Sequence, residues 1–425
     1  MEDLKNLLTA VLSRPTAPFR ESWVAAAVEL ECHKRKIPVT QDRYGNLWLG
    51  ARSMAEARAS RLAFVAHMDH PGFLVDRFEV KRGRARGTIR VHAHWQGGGP
   101  KNKKLMLGHA VKVFSHFHGL LIFDGRITQC DEGPRSLNKA VIELDVPHFL
   151  DDLFTPQGVK KLGPWGACLW YDFGGLCFEG DKVRTKAADD LVGVCALIAA
   201  LEKSHCPKGV TALITRAEES GFHGTMAVLE NRWLKPERTV IVSLETSAQL
   251  PSAMSRGGPV VRLGDRSTIF NPAAVRWVQD AASRLADGAP PGGLPETSTL
   301  SLGAMKKSKD RGAAHKHHVP FAYQRRVMDG GTCEASAFNA YGFTVAGVSV
   351  PLIGYHNVGP HSAPVPEEVS LTDVARTVDL LTALMKAGAS LAKSAAAKPG
   401  RFHLAAFASM RKDITRNFRK HLKFF

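Results

Sequence analysis

The chain has 425 residues, 44% apolar and 23% charged, the balance of a soluble globular protein able to bury a large core in one to three domains. No uninterrupted apolar run approaches the ~20 residues needed to span a bilayer, so a membrane-spanning protein is not expected. The formal charge of +17 is unevenly spread: 306–326 carries seven basic residues and one acid, and 393–425 carries nine and one. The rest is close to neutral, so no specific nucleic-acid partner is expected.

In chain order, 22–36 alternates apolar and polar positions at helical spacing, and 39–49 reads as a hairpin with a Y-G-N turn. A short apolar strand at 62–65 delivers His67. From 72 to 183 short β-like runs (73–80, 88–92, 110–117, 141–146) are separated by Gly, Pro and charged turns, the pattern of a small β-barrel. Beyond Lys186 strands alternate with helices: helix 191–201, strands 210–215 and 239–244, helix 274–285, strand 342–350 and helix 371–387. The expected fold class is therefore α/β, a mostly parallel sheet flanked by helices, interrupted by an inserted β-barrel domain. The expected divisions are 1–71 with 184–390 for the α/β domain, 72–183 for the β-rich insertion and 391–425 for a basic tail. Within the α/β domain, 287–317 reads as a flexible insertion. Its His315, His317 and His318 read as surface solubility in a basic low-complexity loop. In the tail, Leu404, Phe407, Met410, Ile414, Phe418 and Leu422 recur every three or four residues, a basic amphipathic helix expected to make a weak contact with an acidic surface.

Seven cysteines, Cys32, Cys130, Cys168, Cys177, Cys195, Cys206 and Cys333, are odd in number and lack a C-x-x-C pair, so they read as reduced thiols. The opening M-E-D-L-K-N-L-L has neither a signal nor a transit pattern, and cytoplasmic residence is expected.

Five short motifs carry the chemistry: R-L-A-F-V-A-H-M-D-H-P-G at 61–72, K-A-A-D-D-L-V-G at 186–193, L-I-T-R-A-E-E-S-G at 213–221, V-I-V-S-L-E-T-S at 240–247 and G-Y-H-N-V-G at 354–359. Three of them have a plainer reading. His67 with Asp69 suits an ordinary surface turn, Asp189–Asp190 suits a helix-capping pair, and Glu218–Glu219 before Ser-Gly suits a turn. Their common position at strand ends, where ligands collect in open α/β sheets, favours a joint role. Together they supply the imidazoles and carboxylates of a two-metal hydrolytic site, with one carboxylate left over as base. Adjacent side chains on extended backbone diverge, so Glu218 and Glu219 can serve different roles. The Gly-rich 329–334, D-G-G-T-C-E, would let a substrate approach the backbone.

In A-H-M-D, A-D-D-L-V-G, T-R-A-E-E-S-G, L-E-T-S, D-G-G-T-C-E and Y-H-N, across 4–387 apart from the 287–317 loop, the chain resembles the tetrahedral and glutamyl aminopeptidase family of dinuclear zinc or cobalt peptidases. It is still more similar to a related branch of peptidases. The resemblance implies His67, Asp189, Glu219, Glu245 and His356 as ligands of two divalent ions, zinc or cobalt, with Asp189 bridging them. It implies Glu218 as general base, Asp69 as the partner of His67, a small peptide as substrate and a homo-oligomer as the assembled form. Two departures stand out. Glu245 occupies a position that is aspartate in the typical aminopeptidases, which leaves a carboxypeptidase or deacylase as the alternative activity, and a silent binding protein as a third reading. His361, in N-V-G-P-H-S, competes with His356 as the last ligand; His356 lies in the matching string.

Overall fold

The computed structural model describes residues 1–81, 88–100, 102–115, 121–133, 137–145, 168–288 and 320–388. The His315, His317 and His318 cluster and the 391–425 tail lie outside the described residues, as does the 287–317 insertion beyond its first two positions.

An eleven-stranded sheet organises most of these residues. Its continuous path runs Val39–Gln41, Leu47–Leu49, Val210–Thr215, Leu62–His67, Val240–Ala248, Thr344–Ile353, Glu367–Ser370, Lys182–Thr185 and Cys177–Glu179. Val260–Asp265 branches from Thr344–Ile353 and pairs in turn with Gln324–Met328. The four central strands, from Val210–Thr215 to Thr344–Ile353, are mutually parallel, and the path's flanks are antiparallel. L-A-F-V-A-H and V-T-A-L-I-T are buried at every position, as expected of parallel strands that lack a solvent face.

Helices cover this sheet. Leu191–Ser204, buried along nearly its whole length, packs against Glu2–Leu12 and Leu371–Ala387 and stops where His205 turns left-handed at φ 61°. Pro272–Ala286 begins with Asn271 accepting from the Ala273 and Ala274 amides, and Pro272 occupies a first-turn position that needs no N–H. Ser370 caps Leu371–Ala387 through the Asp373 amide. Among the described residues no helix is long and apolar enough to cross a membrane.

Between Leu62–His67 and Lys182–Thr185 the chain leaves the sheet and closes a separate antiparallel barrel. Its order is Gly72–Lys81, Thr88–Gln96, Leu137–Asp145, Leu121–Glu132, Ala110–Ser115 and Cys168–Tyr171. Ile89, Val91, Ala93 and Trp95 alternate inward to meet Val113, Ile127 and Ile142 in a core of its own. The fold is thus α/β with a β-barrel inserted. The strand 210–215 and the helix 371–387 have the boundaries their periodicity predicts. The hairpin 39–49 also keeps its bounds, as Val39–Gln41 paired antiparallel with Leu47–Leu49, and the other predicted elements shift at one or both ends. The helices Glu2–Leu12, His223–Glu230 and Glu334–Ala340 and the strands Leu121–Glu132 and Val260–Asp265 were not predicted.

Candidate metal centre

The C-terminal ends of the central strands lie along one edge of the sheet, and the motif residues meet there. His67 is the last residue of Leu62–His67, beside Thr215 at the end of Val210–Thr215. Glu218 and Glu219 come three and four residues later. Glu245 lies within Val240–Ala248 opposite Ser349, and His356 comes just after Thr344–Ile353. Asp189 and Asp190 precede Leu191–Ser204.

Asp189 stands between two clusters. Its Oδ1 lies 3.6 Å from His67 Nε2, which is 4.0 Å from Glu245 Oε2. Its Oδ2 lies 3.5 Å from His356 Nε2, which is 3.0 Å from Glu219 Oε1. The groups His67–Asp189–Glu245, His67–Glu218–Glu219 and Asp189–Glu219–His356 each bring three donor atoms within 4.8 Å of one another. His361 belongs to none of them; it sits in an exposed turn whose carbonyl accepts from Asn102 of the barrel.

Local structure fixes these side chains. The His67 Nδ1 donates to the Asp69 carbonyl at 3.0 Å, which leaves Nε2 facing the carboxylates. The Asp69 carboxylate is 3.6 Å from the ring and accepts the amides of Glu218 (2.9 Å) and Glu219 (3.1 Å), so it pins the two-glutamate step. That step is held from behind by a fully buried pair: Arg216 Nε donates to Glu21 at 2.8 Å, and Glu21 also accepts the Phe19 and Ala217 amides. Asp190 makes no cap bond to its helix and accepts instead from Thr246 Oγ1 at 2.8 Å. The capping explanation of the acid pair therefore does not hold. Glu367, fully buried, accepts from the amides of Ala188 (2.7 Å), Asp189 (3.1 Å) and His356 (2.9 Å), tying together the loops that carry Asp189 and His356. His70 Nδ1 donates to the Asp189 carbonyl at 2.6 Å.

The electrostatics are those of a crowded anionic cluster. Burial opposes charge on His67, yet the carboxylates of Asp189 and Asp69 outweigh it and raise its pKa well above the imidazole range. Burial is likewise outweighed at His356, where Glu219 and Asp189 raise the value to about 10. Burial pushes Glu218 and Glu245 well above the carboxylate range, and neighbouring acids add to it. Glu245 Oε1 and Asp190 Oδ2 are buried without a hydrogen-bond partner. Buried carboxylates are normally paired or bound to cations. Divalent ions fit this donor set: they would neutralise the acids and take the imidazole nitrogens that face them.

Arg262 escaped the sequence reading. It lies on Val260–Asp265 opposite Gly347, 3% exposed, with Nε and Nη1 unpartnered. Gly347 leaves it room, since a Cβ there would fall 3.2 Å from Arg262 Cβ and 2.9 Å from the Phe270 ring. Glu21 and Glu367 were missed as well. They stand 195 and 178 residues from Arg216 and Asp189, and no local pattern marks them.

A family model for the M42 glutamyl aminopeptidases matches residues 45–286. A curated relative from Acetivibrio thermocellus, named "Putative aminopeptidase", is 21% identical over 290 residues, 67% of this chain and 80% of the relative. Among solved structures, the aminopeptidase APDkam598 of the archaeon Desulfurococcus kamchatkensis is similar at a TM-score of 0.64 and 18% identity, over 92% of this chain and 97% of that one. The Pyrococcus horikoshii TET1 peptidase is similar at 0.63 and 20%, over 89% and 98%. The structural likenesses establish the fold, and the family model spans more than half of the sequence: the chain belongs to the M42 glutamyl aminopeptidase family, whose peptidases depend on metal.

Proposed function

We propose that this metal-dependent aminopeptidase uses two divalent ions, one held by His67, Asp189 and Glu245 and the other by Asp189, Glu219 and His356, with Glu218 as general base. The carrying observation is the division of Asp189, whose two oxygens face the two imidazoles at 3.6 and 3.5 Å. Mixed imidazole and carboxylate donors favour zinc or cobalt.

Bound ions would supply Lewis-acid polarisation of the scissile carbonyl and lower the pKa of a water. The chain's own residues do the rest. Asp69 fixes the backbone of both glutamates, so Glu218 and Glu219 keep separate directions. Glu218 takes the proton of the attacking water and returns it to the leaving amine, and Glu367 keeps the Asp189 and His356 loops in register. Arg262 supports an acidic residue at the peptide N-terminus. Its guanidinium lies in the field of Glu245 and Asp265, yet Nε and Nη1 lack a hydrogen-bond partner that a substrate carboxylate would supply.

Residues 1–71 with 184–390 are read as the catalytic domain, 72–183 as an inserted domain and 391–425 as a basic tail that touches acidic surfaces weakly. A homo-oligomer is supported by the likeness to TET peptidases, one a dodecamer and another able to form a tetrahedron or a large octahedral shell. The cytoplasm is the proposed location.

The test is metal-reconstituted protein on paired free and N-blocked dipeptides. Cleavage of the free peptides alone, fastest with N-terminal Glu or Asp, is expected. Equal cleavage of blocked peptides would overturn the aminopeptidase reading. An Arg262→Met variant that keeps the acidic preference would overturn the role of Arg262.

A further inference from the structure

The turn after Thr88–Gln96 brings the barrel against the metal centre. Three glycines succeed one another there, Gly97, Gly98 and Gly99, and each answers to a different neighbour. Gly97 has φ +89°, a conformation that favours glycine, and its Cβ would fall 3.0 Å from Pro71. A Cβ on Gly98 would penetrate the His356 ring at Nδ1 and lie 2.9 Å from Cε1. A Cβ on Gly99 would fall 2.6 Å from the Trp95 ring. Trp95 holds the turn in place, its Nε1 shared between the carbonyls of Gly97 (3.1 Å) and Gly98 (2.9 Å). Its ring is anchored in the barrel core against Phe73, edge-on at 4.8 Å, and Tyr171, stacked at 5.5 Å. A second contact lies beside the first: Ser220, next in sequence to Glu219, donates to Gln96 Oε1 at 3.1 Å.

Both contacts bear on the same cluster. Glu219 and His356 are the residues that, with Asp189, form the second metal group, whereas neither contact touches His67 or Glu245. The His356 ring also stacks on Tyr355 at 3.8 Å, and its amide is held by Glu367. Backbone on one side and an aromatic ring beside it leave the imidazole little freedom to rotate.

We infer that the turn Trp95–Gly99 is a positioning element for one of the two metal sites, so that the barrel sets the affinity of the Asp189–Glu219–His356 site and leaves the His67–Asp189–Glu245 site unaffected. The inference rests on the two-site reading proposed for this aminopeptidase. Outer contacts that orient a ligand commonly change metal affinity by 10–100-fold, and here such contacts come from a separately folded barrel. An ion at this site therefore reports the seating of the barrel on the sheet.

The experiment is calorimetric titration of metal-free protein with zinc, together with the visible spectrum of the cobalt-substituted form. Wild type should bind two ions. Gly98→Ala should weaken one by about 10-fold or more, alter the cobalt spectrum of that site, and leave the other ion at wild-type affinity. Trp95→Phe keeps an aromatic ring in the barrel core but removes the N–H and part of the ring's volume, so it should weaken the same ion by a smaller factor. If Gly98→Ala fails to fold, Trp95→Phe decides on the same criterion. Two ions of unchanged affinity in the folded variants would overturn this inference alone. Equal weakening of both ions would also overturn it. Fewer than two ions in wild type would sink the two-metal reading and this inference with it.

Discussion

Inside the barrel, Val91, Val113, Ile127 and Ile142 are almost wholly buried within one apolar cluster. At the C-terminal edge of the sheet, positions just as buried hold His67, Asp69, Asp189 and Glu367. The barrel residues gain stability from the area they remove from water, about 25 cal/mol per Å². The sheet-edge residues lose hydration and recover it through named partners, and one oxygen each of Glu245 and Asp190 is left with no hydrogen-bond partner. The contrast teaches where to look for function in a fold of this kind. A buried position that adds nothing to hydrophobic stability is kept for what it binds.

The contrast is sharpest at Asp189. Asp189→Ala should remove both ions and abolish measurable turnover, because one carboxylate faces both clusters. Elemental analysis showing full metal content in that variant would break the assignment. Next comes the base. Glu218→Gln should lower turnover by ~10²–10⁴ while metal content persists, the range expected when a general base is lost. Glu219→Gln should weaken metal binding instead, and a reversal of the two phenotypes would exchange their roles.

Two further substitutions compare the regions as structures. Arg216→Met leaves Glu21 buried behind the two-glutamate step without its guanidinium partner. It should cost about 3–5 kcal/mol in chemical denaturation and reduce turnover as well. Ile142→Ala opens a cavity in the barrel core and should cost about 2–5 kcal/mol with metal content unchanged. A loss of metal in Ile142→Ala at temperatures where the protein stays folded would blur the distinction between the two regions. The smallest effect is expected from deleting 393–425, since every proposed ligand lies before it. Metal content and turnover on small peptides should stay near wild type, and only assembly or a salt-sensitive contact should change, as light scattering at two ionic strengths would show.

Much of this fold is legible in the sequence because strand ends and motifs coincide. A run such as L-A-F-V-A-H, apolar at nearly every step, suits a strand covered on both faces, and the residues after it must lie at the sheet's edge. That logic puts His67, Glu218, Glu219 and Glu245 near one another on sequence grounds alone. It could not find Glu21, Glu367 or Arg262, since a lone charged residue becomes meaningful only when the fold buries it. Glu21 meets Arg216 across 195 residues, and Arg262 is defined by the glycine opposite it on a neighbouring strand. The strand Val260–Asp265 was missed for a related reason. V-V-R-L-G-D mixes apolar, charged and glycine positions, and its pairing with Thr344–Ile353 supplies what local propensity lacks. The same holds for the three glycines after Gln96, which read as a loose turn until His356 and Trp95 stand against them.

The path of the large sheet ends at both sides on strands of only three residues, Val39–Gln41 and Cys177–Glu179, and the barrel closes on itself. Long open strand edges template the pairing of one molecule's backbone with another's, the route to fibres and precipitates. Here those ends and the five-residue branch strand Gln324–Met328 offer a neighbour a few backbone groups each, and the barrel is closed. Copies crowded together, as in the shells formed by related peptidases, would meet through side chains of chosen shape and charge. Such contacts can be reversed and counted, whereas a backbone ladder adds strands without limit.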